Sequence, residues 1–224
     1  RVWVNGKEVG YSEDSKLEAR FDITKYVRKG ENLIALEIFR WCDGTYLEDQ
    51  DFFRFSGIAR DVYVYSREKK RLENVKVVAS ASGDAALYAE VSKGVTAVSF
   101  DILDPSGKQV ASTRVDVNTK SRSENGLPYV ETALNVPSVM QWTAETPSLY
   151  TLDVAVYDKK GQTESTSVQI GFRDVEVVGG QLLVNGKPVL IKGVNRHEIN
   201  PYKGYVVSEA DMIQDILIMK QLNV

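Results

Sequence analysis

The sequence predicts a mainly β protein: two β-sandwich modules in tandem, the first of them partial, followed by one strand-and-helix unit. Three observations predict it. Asn5-Gly6 and Asn185-Gly186 each sit between apolar runs, the strongest short-range hairpin signal. Between Leu72 and about Val175, seven short segments of strand character recur with turn residues between them. After Ser208 the apolar period changes from that of a strand to that of a helix.

The elements come in this order. Val2-Trp3-Val4 and Glu8-Val9 form the first hairpin, and Phe21 to Thr24 is a short extended piece. From Asn32 to Trp41, Ile34, Leu36 and Ile38 alternate with Ala35, Glu37 and Phe39, the pattern of a half-buried strand. Asp61 to Tyr65 resumes the β pattern. These few strands with long connections cannot close a sandwich, so they read as the second half of one. Ser66 to Arg71, rich in charge, reads as a linker. The strands expected beyond it are Val75 to Val78, Ala86 to Val91, Val95 to Leu103, Val110 to Val117, Tyr129 to Val136, Leu149 to Tyr157 and Ser165 to Val175. Asp104-Pro105-Ser106-Gly107 and Asp158-Lys159-Lys160-Gly161 supply turns. An immunoglobulin-like sandwich fits this spacing, without the cysteines and partner tryptophan of antibody domains, and alternation alone would also fit another seven-stranded sandwich.

Gln181 to Ile191 is the second Asn-Gly hairpin. Its outgoing strand, Val189 to Val194, is almost continuously apolar, as a strand buried on both faces is. Ser208 with Asp211 makes a capping-box variant. Met212, Ile213, Ile216, Leu217, Met219 and Leu222 then form one helix face. A single strand-helix unit has no parallel neighbour for its backbone edges, and the chain opens at Arg1 already inside a strand pattern. Both features lead us to expect a piece of a longer polypeptide that continues with further strand-helix units.

Composition excludes several classes. Hydrophobic content of 43% and charged content of 26% are those of a folded globular chain. A net charge of −3 gives no basic field for nucleic acid. No apolar run reaches the ~18 residues of a membrane span. Cys42 is the sole cysteine, so no intrachain disulfide exists and the compartment stays open, cytoplasmic or periplasmic.

The stretch from Asp43 to Val62 carries the most chemistry. Glu48, Asp49 and Asp51 crowd together, with Arg54, Arg60, Phe52, Phe53 and Phe55 close behind. Ordinary connecting loops are dominated by Gly, Pro, Asn and Ser. Crowded carboxylates need a cation or an arginine to neutralise them. Arg54 and Arg60 supply a plain ion-pair account, and Asp51 as a sugar or cation ligand is the sharper one. Glu48 and Asp49 read as salt-bridge partners, the phenylalanines as packing or sugar-stacking faces, and Trp3, Trp41 and Trp142 as core. His197 is the sole histidine, so it makes no metal site unaided. It is either a hydrogen-bonded structural residue or a contact to substrate.

Two segments resemble glycoside hydrolase family 2, and within it the large bacterial β-galactosidases. One runs from Arg40 through Tyr46-Leu47-Glu48-Asp49-Gln50-Asp51 to Arg54-Phe55-Ser56-Gly57-Ile58-Ala59-Arg60-Asp61-Val62. The other is Leu183-Val184-Asn185-Gly186-Lys187-Pro188 through Asn195-Arg196-His197-Glu198, ending in Met212 to Gln221. Gly171-Phe172-Arg173 is also typical of the family's join between sandwich and barrel.

The resemblance implies residues 1–66 as the C-terminal half of a jelly-roll sugar-binding-like domain. Residues 67–175 would be an immunoglobulin-like sandwich, and 176–224 the first strand and helix of a (β/α)8 catalytic barrel. It implies a retaining hydrolase of terminal β-galactosides, with both catalytic glutamates and the magnesium site beyond Val224, so the segment alone should be inactive. Asp51 would touch substrate and hold a sodium ion. His197, at the C-terminal end of the first barrel strand where such sites lie, would contact galactose hydroxyls in the transition state. The resemblance also implies the remainder of the barrel as a partner and a homo-oligomer for the full-length protein, since large members of the family are often tetramers. The alternatives are a non-catalytic carbohydrate-binding module, or a family 2 enzyme of other specificity such as β-glucuronidase.

Overall fold

A computed structural model describes residues 1–14, 17–47, 53–118 and 120–224. The chain forms two compact units, one of residues 1–63 with 192–224 and one of residues 64–191.

In the first unit, strands β1 (Val2–Val4) and β2 (Lys7–Gly10) form the expected hairpin. Its turn residues Asn5 and Gly6 have φ of +52° and +76°, the left-handed pair that a two-residue type I′ turn requires. Strand β3 (Ile34–Leu36) pairs with the other edge of β1, Val4 opposite Ile34 and Val2 opposite Leu36. Asn5 fixes this register: its amide donates to Tyr26 O at 3.0 Å and Asn32 Oδ1 at 2.8 Å, and its Oδ1 accepts from Leu33 N at 3.1 Å.

Several expectations for this unit need correction. The strand expected from Asn32 to Trp41 shrinks to three residues, and Ile34, Leu36, Ile38, Phe39 and Trp41 are exposed. Phe21 to Thr24 and Asp61 to Tyr65 form no strand. The reason is shared: alternation writes a buryable face, but a strand exists only where a second backbone accepts its ladder bonds. Trp41, expected in the core, instead lies under the Arg40 guanidinium, 5.1 Å from its ring centre. Helix α1 (Asp43–Leu47) occupies what read as loop, with Thr45 Oγ1 accepting from Cys42 N at 3.1 Å.

The second unit holds the sandwich. Strands β4 (Leu72–Ala79), β5 (Asp84–Val91), β6 (Ala97–Leu103), β7 (Gln109–Asp116), β8 (Tyr129–Asn135), β9 (Tyr150–Asp158) and β10 (Gly161–Ile170) match the seven expected segments closely. They form two antiparallel sheets, β4-β5-β8 and β10-β9-β6-β7. The fourth strand pairs with β6 in the larger sheet, whereas the constant immunoglobulin layout puts its fourth strand in the sheet of the first. Phe100, Ile102, Leu152, Val154 and Val156 alternate inward from the larger sheet and meet Leu87, Ala89 and Val91 from the smaller, all within one apolar core.

The last sandwich strand ends earlier than expected, at Ile170. Phe172 turns fully into the core, its ring edge-on to Tyr150 at 5.0 Å. That turn frees Val175 to start a separate three-stranded sheet of β11 (Val175–Val178), β12 (Gln181–Val184) and β13 (Lys187–Pro188), order β11-β12-β13. The segment read as a linker, Ser66 to Arg71, is instead tied to the sandwich: Lys70 pairs with Asp158 at 2.6 Å, and Arg67 pairs with Glu164.

Val189 to Val194 forms no strand, and Leu190, Ile191 and Val194 are 81, 74 and 61% exposed. The apolar run that suggests burial on both faces finds no neighbouring strand among the described residues. Helix α2 (Glu209–Gln221) forms as expected, with Ser208 Oγ accepting from Asp211 N at 3.2 Å and the Asp211 carboxylate accepting from Ser208 N at 2.9 Å. Its apolar residues Ile213, Ile216, Leu217 and Leu222 are exposed. Among the described residues no helix is long and apolar enough to cross a membrane.

Candidate functional site

Two stretches singled out by sequence lie in the first unit, and the structure joins them. Asp51, with Glu48, Asp49 and Phe52, lies outside the described residues. The next segment, Phe53 to Arg60, packs on the stretch from Arg196 to Val206. The Phe55 ring meets Tyr205 edge-on at 5.2 Å and Phe53 at 5.6 Å. Gly204 makes that approach possible: a Cβ there would stand 2.9 Å from the Phe55 ring, and its φ of +62° is left-handed. Asn200 shapes the same turn, exchanging backbone bonds with Gly204 at 2.8 and 2.9 Å while its side chain accepts from Tyr202 N at 2.9 Å.

Charge completes the junction. Arg60 donates from Nη1 to the Tyr205 carbonyl at 2.8 Å and from Nη2 to the Glu198 carboxylate. Arg196 directs Nε and Nη2 at Asp215 Oδ2 of α2, at 2.9 and 2.5 Å, with Nη1 3.9 Å from Glu198 Oε1. Arg60, considered from sequence as a neutraliser of the acidic loop, pairs with Glu198. His197 lies between Arg196 and Glu198, is exposed, and its carbonyl accepts from Ile199 N at 3.1 Å. From sequence, Asn195, Arg196 and Glu198 are residues that could orient His197, with no chemistry assigned to them, and Tyr205 and Gly204 are not singled out. The left-handed Gly204 was the only local signal, because Arg60 and Glu198 stand 138 positions apart.

Chemically the described part of the site offers one imidazole, aromatic faces and a paired carboxylate. Among the described residues no three of His, Cys, Asp and Glu group to hold a metal. Elsewhere, in the second unit, an open surface groove of about 450 Å³ lies beside Arg67, Glu73 and Glu164.

Comparison with known proteins covers nearly the whole chain. Residues 1–68 match the sugar binding domain of glycosyl hydrolases family 2, residues 58–173 match glycosyl hydrolases family 2, and residues 175–224 match that family's TIM barrel domain. A β-galactosidase of Photobacterium profundum is 42% identical over 231 residues, covering 99% of this chain and 22% of the relative. One of Priestia megaterium is 38% identical over 236 residues, covering 100% and 22%. The chain thus spans 22% of the length of these curated relatives.

Among solved structures, a family 2 glycosyl hydrolase of Bacteroides cellulosilyticus superposes with TM-score 0.82 at 21% identity, covering 98% of this chain and 31% of that one. A β-glucuronidase of Ruminococcus gnavus gives TM-score 0.78 at 24% identity, covering 98% and 39%. At such identities these two share the fold.

Proposed function

Because this chain belongs to glycoside hydrolase family 2, we propose that it is part of a retaining enzyme that hydrolyses terminal β-D-galactosides. One observation carries the choice of sugar: about 40% identity to β-galactosidases runs across essentially the whole chain, the acidic loop and the His197 segment included. The match of residues 175–224 to a catalytic barrel domain disfavours a purely binding module.

Retention requires an acid/base and a nucleophile, two carboxyl groups about 5–5.5 Å apart. In this reading both are glutamates carried by later barrel strands; of the acids at the junction, Glu198 pairs with Arg60 and Asp215 with Arg196. Asp51 contributes hard oxygen ligands, suited to a sodium ion and to the sugar hydroxyls beside it. A sodium ion there would supply fixed positive charge that orients a hydroxyl. Magnesium, which the family also implies, is given no ligand in this chain. The His197 imidazole hydrogen-bonds a galactose hydroxyl, an interaction useful for rate only if it strengthens in the transition state.

The test is a panel of aryl glycosides offered to the full-length natural polypeptide that carries these residues. Turnover of the β-galactoside well above the β-glucuronide and β-mannoside is expected. A preference for the glucuronide would overturn the galactoside reading.

A further inference from the structure

We propose that Glu198 is a positioning residue: clamped by Arg60, it holds the backbone on one side of His197 while Arg196 holds the other. The proposal rests on the functional reading above, since it assigns Glu198 a part in that same site.

The geometry brackets His197. Its preceding residue, Arg196, is anchored to helix α2 through two donors on Asp215 Oδ2. Its following residue, Glu198, is anchored to Arg60, whose other terminal nitrogen holds the Tyr205 carbonyl. One guanidinium therefore pins both ends of the turn from Glu198 to Tyr205, and the Phe55–Tyr205 ring contact closes the same junction. Arg60 belongs to the segment that leaves the acidic loop. The pair thus fastens the Asp51-bearing loop's exit to the His197 segment.

Magnitudes decide what the clamp is for. The Arg60 and Glu198 side chains are 53 and 42% exposed, and exposed ion pairs contribute only about 0–1 kcal/mol to stability. A misplacement of roughly 1 Å at a reacting geometry, by contrast, costs about 10²-fold in rate. Loss of the clamp therefore leaves the fold nearly as stable and the chemistry much slower.

The experiment is a double-mutant cycle in the full-length natural polypeptide: Glu198→Gln, Arg60→Gln, both together, and the exchange Arg60→Glu with Glu198→Arg. Three readouts are taken: kcat and KM on an aryl β-galactoside, thermal midpoint, and the rate of proteolytic cutting between Asn195 and Tyr205. Each single variant should lower kcat about tenfold or more while KM and the midpoint barely move. The double variant should be no slower than the slower single, and the exchange should recover part of the loss. Cutting should accelerate with the same non-additivity. Multiplying effects, a kcat loss that only tracks the thermal midpoint, or unchanged kinetics in active enzyme would each overturn the clamp. If the wild type ignores galactosides, the functional reading falls, and the proteolysis cycle still decides the clamp.

Discussion

Arg67 grips Glu164 with two parallel bonds, Nε to Oε1 at 2.8 Å and Nη2 to Oε2 at 2.7 Å, while Oε2 also accepts from Leu72 N at 2.9 Å. This fork turns the charged segment before the sandwich into part of it, joining the entry to β4 with β10. Both side chains are partly buried, at 33 and 21% exposure, so the pair is less screened than a surface bridge.

That geometry makes the junction acid-sensitive. The Arg67 hydrogen bonds hold the Glu164 carboxyl below its ordinary range; burial opposes this and loses, and the Leu72 amide adds to it. A depressed folded value stabilises the fold above the unfolded pKa and stops doing so as pH falls through the folded one. Glu164→Gln should cost about 1–2 kcal/mol at neutral pH, shrinking toward zero in acid. Urea unfolding of both proteins at pH 7 and pH 3 measures it, and an equal difference at both would contradict the assignment.

Two glycines with similar backbones should respond differently to alanine. Gly83 has φ of +97°, and a Cβ there would stand 2.2 Å from the Val136 carbonyl oxygen. Gly107 has φ of +86° but open space around it. Gly107→Ala carries only backbone strain, about 1–2 kcal/mol, whereas Gly83→Ala adds a clash with backbone that cannot rotate away and should exceed ~3 kcal/mol. Denaturant midpoints of the two variants compare them directly, and equal losses would mean the contact is easily relieved.

The contrast between the two units shows what sequence can and cannot convey. Every sandwich strand was legible because its inward residues, such as Leu152, Val154 and Val156, find a facing sheet within the same stretch of chain. Val189 to Val194 and Asp61 to Tyr65 carry equally strong β patterns and form no strand. Pattern reports what a segment could bury, and only a pairing partner makes it a strand. The same limit governs the site. His197 was legible as a lone, chemically special residue, but its bracket of Arg60 and Glu198 joins positions whose sequence neighbourhoods never mention each other.

The N-cap of α2 gives a local prediction. Ser208 Oγ accepts from Asp211 N, and the Ser208 amide donating to the Asp211 carboxylate lowers that carboxyl's pKa. Ser208→Ala should weaken the helix start by about 1 kcal/mol. Amide exchange should accelerate from Glu209 to Met212 and little beyond, because caps act on the first turn. Asp211→Asn should remove the pH dependence: protection present at neutral pH, and lost in wild type as acid protonates Asp211, would be flat in the variant. Acceleration along the whole helix would show instead that α2 docks through this end.

Asp51 and His197 should fail in distinguishable ways. If Asp51 holds both a cation and the sugar, Asp51→Ala in the full-length polypeptide removes ground-state contacts, so KM for a β-galactoside rises about 10–100-fold, the worth of one or two charged hydrogen bonds. The response of KM to added sodium disappears with it. If His197 bonds a hydroxyl chiefly in the transition state, His197→Phe lowers kcat by about 10²-fold and shifts KM far less. Steady-state kinetics across a sodium series separates the two. A variant lacking the Asp51 carboxylate that still answers to sodium would assign the ion to other ligands, and a His197 variant altered only in KM would make that imidazole a binding group with no share in the rate.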